Sequence, residues 1–159
     1  MIEKSLSSVS VLVVDYDDDT ADSTAELLVL HGCSVRIARS GTEALVAASA
    51  EVPDVVLMDI GMPGMDGWEA AQRLRRLMNG KQPIIIALTG YGSDDDRWRS
   101  ADAGVDMHLV KPVDPNVLTA LLSWVGHVLN GDGPVTPTER FGPLDREYAH
   151  VRAVVSHGR

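Results

Sequence analysis

The chain has 159 residues, 45% of them hydrophobic and 23% charged, with a net charge of −9 and one cysteine. That length and balance fit one soluble globular domain with an appendage, large enough to stabilise its own core. The acidic balance argues against nonspecific nucleic-acid binding, which needs a basic footprint. The lone Cys33 excludes an internal disulfide framework or a cysteine-based zinc site, and no apolar run approaches the roughly 20 residues of a membrane span. The N-terminus, Met1-Ile2-Glu3-Lys4-Ser5, lacks the basic region and apolar core of a secretory signal, so a cytoplasmic location is expected.

Residues 1–8 read as a tail. Val9 to Asp15 is an apolar run that ends in a carboxylate, and Asp17, Asp18, Asp19 and Thr20 suit the start of a helix. That helix runs to His31-Gly32, a usual stop signal. Cys33 to Ala38 is a short strand in which Cys33 serves as a small buried hydrophobe. Ser40-Gly41-Thr42 turns into an Ala-rich helix reaching about Glu51. Residues 54–59 form the central strand, an apolar run without alternation and therefore buried on both faces. It stops at Asp59, and a Gly- and Pro-rich loop leads to a helix from Trp68 to about Met78.

After the break at Asn79-Gly80-Lys81-Gln82-Pro83 comes a fourth, doubly buried strand, Ile84 to Leu88, followed by Thr89-Gly90. Ser93 and Asp94, Asp95 and Asp96 cap and charge a helix that Gly104 stops. Val105 to Val110 is the fifth strand, ending at Lys111-Pro112. Asp114-Pro115 then supplies an N-cap and a first-turn proline for a last helix whose stripe is Val117, Leu118, Leu121, Leu122, Val125 and Val128. Five alternations predict an α/β fold, a five-stranded parallel sheet with helices on both faces (doubly wound), over residues 9–129. Residues 130–159 read as a linker and a possible short amphipathic helix carrying Leu144, Tyr148, Val151 and Val155. Arg73, Arg75, Arg76 and Lys81 read as a solvated face of an acidic protein.

Parallel strands share a carboxyl end, so Asp15, Asp59, Thr89 and Lys111 fall on one sheet edge, where open parallel sheets place their ligand sites. Acidic oxygens there suit a hard cation such as magnesium, with Asp17 nearby. Carboxylate, metal, hydroxyl and ammonium together are equipped for phosphoryl transfer. Asp59 would attack phosphorus, the cation and Lys111 would neutralise the equatorial oxygens, and Thr89 would donate a hydrogen bond. Any one of these residues is ordinary alone; the four strand ends together carry the reading.

The runs Val11-Leu12-Val13-Val14-Asp15, Leu57-Met58-Asp59-Ile60-Gly61-Met62-Pro63-Gly64-Met65-Asp66-Gly67, Ala87-Leu88-Thr89-Gly90 and Leu109-Val110-Lys111-Pro112 resemble the response regulator receiver family of two-component signalling. The resemblance covers roughly residues 9–129 and implies a flavodoxin-like fold. It implies that Asp59 takes a phosphoryl group from a phosphohistidine of a sensor histidine kinase or a histidine phosphotransfer protein. Thr89 and Lys111 would contact that group, while Asp15, Asp59 and the carbonyl of Gly61 would serve a magnesium site. It also implies a cis Lys111–Pro112 bond.

Two positions depart from the family pattern. Receivers commonly carry two adjacent acidic residues after the first strand, and here the second, a direct metal ligand in the family, is Tyr16. A phenol stays protonated at neutral pH and is a poor ligand, so weakened magnesium binding is expected, with Asp17 as a substitute. His108 stands three residues before Lys111, where receivers often have an aromatic ring that switches rotamer with the threonine; it would pack similarly and add a response near neutral pH. Two rival readings stay open. One is a phosphorylation-independent interaction module with a decayed metal site. The other is a magnesium-dependent aspartyl-phosphate phosphohydrolase resembling the haloacid dehalogenase-like family, with Asp15 as nucleophile and Asp17 as acid/base. About thirty residues follow the last helix, too few for an ordinary DNA-binding output domain, so a stand-alone receiver or a piece of a hybrid protein is expected. A homodimer through the fourth and fifth helices or the tail is a further expectation, and no membrane or nucleic-acid partner is expected.

Overall fold

The computed structural model describes residues 9–90 and 102–131. Strands and helices alternate in the expected order: β1 (Ser10–Val14), α1 (Asp18–Leu30), β2 (Ser34–Ala38), α2 (Gly41–Ala50), β3 (Val55–Asp59), α3 (Gly67–Leu77), β4 (Ile84–Thr89), β5 (Met107–Val110) and α4 (Pro115–Leu129). All but the last two residues of the helix expected over 93–103, and the whole amphipathic stretch at 144–155, lie outside the described residues.

Helix starts are set by short polar side chains that satisfy otherwise unpaired N–H groups. Asp17 accepts from the N–H of Asp19, Ser40 from Glu43, Asp66 from Glu69 and Asp114 from Asn116. Stops use the left-handed region that favours glycine, at Gly32 (φ 93°) after α1 and at Gly104 (φ 82°) before β5.

The five strands form one parallel sheet in the order β2-β1-β3-β4-β5. The unalternating runs take its centre: every residue of β3 and β4 is buried, whereas edge strand β5 alternates between buried and half-buried. Side chains on the two faces make two cores. On one, Val11, Val13, Leu57, Ile86 and Leu109 pack with α1 and with Leu118, Leu121, Leu122 and Val125 of α4. On the other, Leu12, Val56, Met58, Ile85 and Ala87 pack with Ala44 and Ala48 of α2 and with Ala70, Ala71 and Leu74 of α3. The fold is the doubly wound flavodoxin-like one. Cys33 is buried, and burial pushes its thiol up to about 11, outside the reactive range. No helix among the described residues is long and apolar enough to cross a membrane.

Arg75 differs from the sequence expectation. Arg73 and Arg76 are exposed, but Arg75 turns inward. Its guanidinium donates to the carbonyls of Gly104 (2.9 Å) and Pro83 (2.6 Å), to Gln82 (3.2 Å) and to the carboxylate of Asp106 (2.6 Å). A planar group with five donors suits such a junction, and here it ties α3 to the segments entering β4 and β5.

Candidate functional site

Strand order reverses between β1 and β3, and crevices at such switch points, outside the carboxyl ends of the strands, are where doubly wound sheets bind ligands. Asp15 follows β1 and Asp59 ends β3, so both carboxylates open into that crevice. They are 3% and 5% exposed. The chain turns sharply after Asp59: Gly61 N–H donates to Asp59 Oδ1 at 3.2 Å, and Gly67 N–H returns to the carbonyl of Ile60 at 3.1 Å. Glycine is required at Gly67 for this return, because a Cβ there would stand 2.5 Å from the Asp59 carbonyl oxygen. The first residue of α3 thus lies against the backbone that presents Asp59.

Lys111 follows β5 across a cis Lys111–Pro112 bond, as the resemblance implies. Its backbone N–H donates to the Thr89 carbonyl at 2.6 Å. Its ammonium stands 3.1 Å from Asp59 Oδ1 and 3.6 Å from Asp15 Oδ2. Two buried carboxylates therefore face one lysine, and they are close enough to hydrogen-bond to each other. Burial chiefly, with the nearby Asp59 charge, raises the pKa of Asp15; the Asp17 N–H and Lys111 only partly offset it.

Asp17 has a different task. Its carboxylate accepts from Asp19 N–H (3.1 Å) and Thr20 Oγ1 (3.0 Å) at the start of α1, and its own N–H donates to Asp15 Oδ1 at 3.0 Å. Tyr16 is 53% exposed. Thr89, buried at the end of β4, has its Oγ1 2.7 Å from Nε2 of His108 on β5. The structure thus brings Asp15, Asp59 and Lys111 together and couples Thr89 to His108. The role of Gly67 was not drawn from the sequence, and Thr89 and His108 were paired there only as a switch that the resemblance implies, without the direct hydrogen bond between them. An Asp-Gly pair at a helix start signals the first; nothing in the sequence fixes the strand register that makes the second.

Magnesium takes oxygen ligands and often binds through only one or two carboxylates, with water completing the shell. A pair of buried carboxylates exceeding the local positive charge fits such an ion. The acidic donor set stops at that pair, since no three His, Cys, Asp or Glu side chains converge on a metal-sized site among the described residues.

Over residues 11–123 the chain matches the response regulator receiver domain family. It is 38% identical over 119 residues to an uncharacterized 14.6 kDa protein of Leptolyngbya boryana, covering 75% of this chain and 91% of that protein. It is 35% identical over 159 residues to the transcriptional regulatory protein PrrA of Mycobacterium tuberculosis, covering 98% of this chain and 66% of PrrA. The chain thus spans just under two thirds of that relative. The structure of the Vibrio cholerae chemotaxis protein CheY4 is similar with a TM-score of 0.70 at 31% identity, covering 74% of this chain and 98% of that one. Motifs, strand order and this match over most of its length agree, and the chain belongs to the response regulator receiver family.

Proposed function

We propose that this chain is a phosphoacceptor: Asp59 takes a phosphoryl group from the phosphohistidine of a sensor histidine kinase or a histidine phosphotransfer protein, and the protein signals by the conformational change that follows. The observation that carries this reading is the setting of Asp59. It is a nearly buried carboxylate at the carboxyl end of β3, held by the Lys111 ammonium and the Gly61 N–H, with a second carboxylate beside it. In the transfer, a carboxylate oxygen of Asp59 bonds to phosphorus while the phosphorus–nitrogen bond of the donor breaks, and the donor imidazole, already protonated on its other ring nitrogen, leaves neutral with the electron pair of the broken bond. Lys111 neutralises charge on the phosphoryl oxygens, and Thr89 supplies a hydroxyl to the product.

Receiver domains bind Mg²⁺ at this acidic pocket. Here Asp15, Asp59 and the Gly61 carbonyl would hold it, and when bound it would neutralise the arriving phosphoryl charge. Tyr16 in place of an acidic ligand, and Asp17 engaged in capping, support weaker binding than two adjacent acidic residues would give. Thr89 and His108 form the switch pair in this reading. The receiver unit is 9–129, in a cytoplasmic setting, with residues 130–159 as an appendage.

The test is intact-protein mass after incubation with acetyl phosphate, with and without magnesium, beside Asp59→Ala. A gain of one phosphoryl group that needs Asp59 and is promoted by magnesium supports the reading. No gain by the folded wild-type protein overturns it. That result would favour an interaction module independent of phosphorylation, the reading to which the Tyr16 position points.

A further inference from the structure

Thr89 closes β4, and across the sheet His108 lies in register with Ala87, two residues before it. Thr89 Oγ1 and His108 Nε2 are 2.7 Å apart, a short hydrogen bond. Thr89 is 4% exposed and His108 is half-buried. Met107 and Leu109 pack toward α4, so His108 lies on the opposite face of the sheet.

A threonine hydroxyl has one proton, and the imidazole Nε2 donates or accepts according to where the ring's protons sit. If only Nδ1 is protonated, Nε2 accepts the Thr89 proton, and Thr89 offers nothing but lone pairs to the pocket. If Nε2 carries a proton, in the other neutral tautomer or in the imidazolium, the ring donates to Thr89. The hydroxyl proton is then released to point elsewhere. A phosphoryl dianion presents only acceptors, so it can use Thr89 in the second state alone.

We propose that His108 is a positioning residue for Thr89: a proton on His108 Nε2 directs the Thr89 hydroxyl as a donor toward a phosphoryl group on Asp59, and that group in turn holds the proton on the ring. This rests on the reading of Asp59 as the phosphoacceptor. The coupling is reciprocal, as linkage requires, so phosphorylation raises the proton affinity of His108, and mild acid favours the phosphorylated state. Among the described residues, Asp106 just before β5 is paired with Arg75 of α3, and Lys111 beyond the strand faces Asp59 and Asp15. Neighbouring β4 offers Ala87 and Thr89, neither of which titrates in this range. Asp94, Asp95, Asp96, Arg97 and Arg99, in the connection between β4 and β5, lie outside the described residues.

The experiment uses protein labelled with ¹⁵N at histidine, read by NMR through the His108 ring, together with phosphoryl uptake from acetyl phosphate. In the unphosphorylated protein, Thr89→Val must change the tautomer balance or the ring pKa of His108; an unchanged ring overturns the proposal whether or not Asp59 is phosphorylated. On phosphorylation the ring is expected to move toward the Nε2-protonated form with a pKa higher by about one unit, a tenfold change in proton affinity. No change in tautomer or pKa on phosphorylation overturns it. The ratio of wild-type to His108→Phe uptake is expected to rise severalfold as pH falls from 8 to 6, and a flat ratio overturns it as well. If wild-type protein takes up no phosphoryl group, the phosphoacceptor reading fails instead, and the Thr89→Val comparison still decides whether His108 sets the Thr89 proton.

Discussion

The two edges of the one sheet treat buried acid in opposite ways. At the amino edge, Asp54 enters β3 and accepts from Ser10 N–H at 2.9 Å, Ser10 Oγ at 3.2 Å and Lys81 Nζ at 2.6 Å. Burial alone would raise its pKa, but the Lys81 and Ser10 hydrogen bonds outweigh burial and lower it. At the carboxyl edge, Asp15 and Asp59 divide one lysine, and Asp15 is left with a raised pKa. The amino edge is an ion pair already matched within the fold, which serves stability. The carboxyl edge carries one negative charge too many for its lysine, and a pocket in that condition gains from a cation or from chemistry that consumes a carboxylate. The Asp54 side chain is 14% exposed and that of Asp15 4%, and burial is the largest influence on both, so it is the partners that turn the two outcomes in opposite directions.

Replacing the carboxylate that reacts breaks the comparison most completely. Asp59→Asn should abolish phosphoryl uptake from acetyl phosphate, read as intact mass, while leaving the protein folded, because the amide keeps the shape and relieves Asp15 of a like charge. Next comes the other matched junction, Arg75. Arg75→Leu strands the Gly104 and Pro83 carbonyls and leaves Asp106 without its cation in a site where both side chains are 22% exposed. Removing one partner of such a pair costs about 2–3 kcal/mol, the low side for a buried ion pair because some solvent reaches it. A fall in Tm of roughly 5–10 °C is expected for a domain of this size. Phosphoryl uptake below that Tm should persist, since Arg75 touches none of Asp15, Asp59 or Lys111.

Arg75 also marks where the sequence stops being legible. Apolar runs without alternation announced β3 and β4, and each ended in a residue whose position at the shared carboxyl edge follows from parallel topology. Asp59, Thr89 and Lys111 were therefore visible before any coordinates, as were the Asp114-Pro115 helix start and the Gly104 stop. Periodicity, however, assigns a residue only to a helix face. Arg75 sits next to the buried Leu74 on the flank of α3, and whether it reaches outward or inward depends on Asp106, 31 residues away, arriving beside it. Asp17 poses the same difficulty on a shorter scale. A carboxylate between a strand end and a helix start can serve a metal or a cap, and the turn at Asp15–Asp17 aims it at Asp19 and Thr20.

The amino edge offers a smaller effect with a defined pH dependence. Asp54→Asn keeps an oxygen for Ser10 and loses the charge that Lys81 answers; with Lys81 about half exposed, a loss of about 1 kcal/mol at pH 7 is expected. Because the folded-state pKa of Asp54 is lowered, its contribution is present above the unfolded pKa and disappears as pH falls through the folded one. Thermal melts of wild type and Asp54→Asn should therefore differ at pH 7 and converge in acid.

Asp15→Asn should give the smallest shift, and its sign is the sharpest test of the contrast. The Asn oxygen still accepts from Asp17 N–H, so the turn into α1 is kept. Asp15 has a raised folded-state pKa, which means its favourable contribution is present below the unfolded pKa and is lost as pH rises through the folded one. At pH 7 the wild type bears that loss and the variant does not, so Asp15→Asn should melt slightly higher than wild type, with the gain shrinking toward acid. The two substitutions thus move Tm in opposite directions at neutral pH and meet the wild type at low pH from opposite sides. Millimolar magnesium should narrow the gap by raising the wild-type Tm more than that of Asp15→Asn, because only the wild type retains both carboxylates for the ion. If Asp15→Asn instead melted below wild type at pH 7 and magnesium moved both equally, the carboxyl edge would be as fully matched as the amino edge. The excess of negative charge would then have no bearing on what the pocket binds.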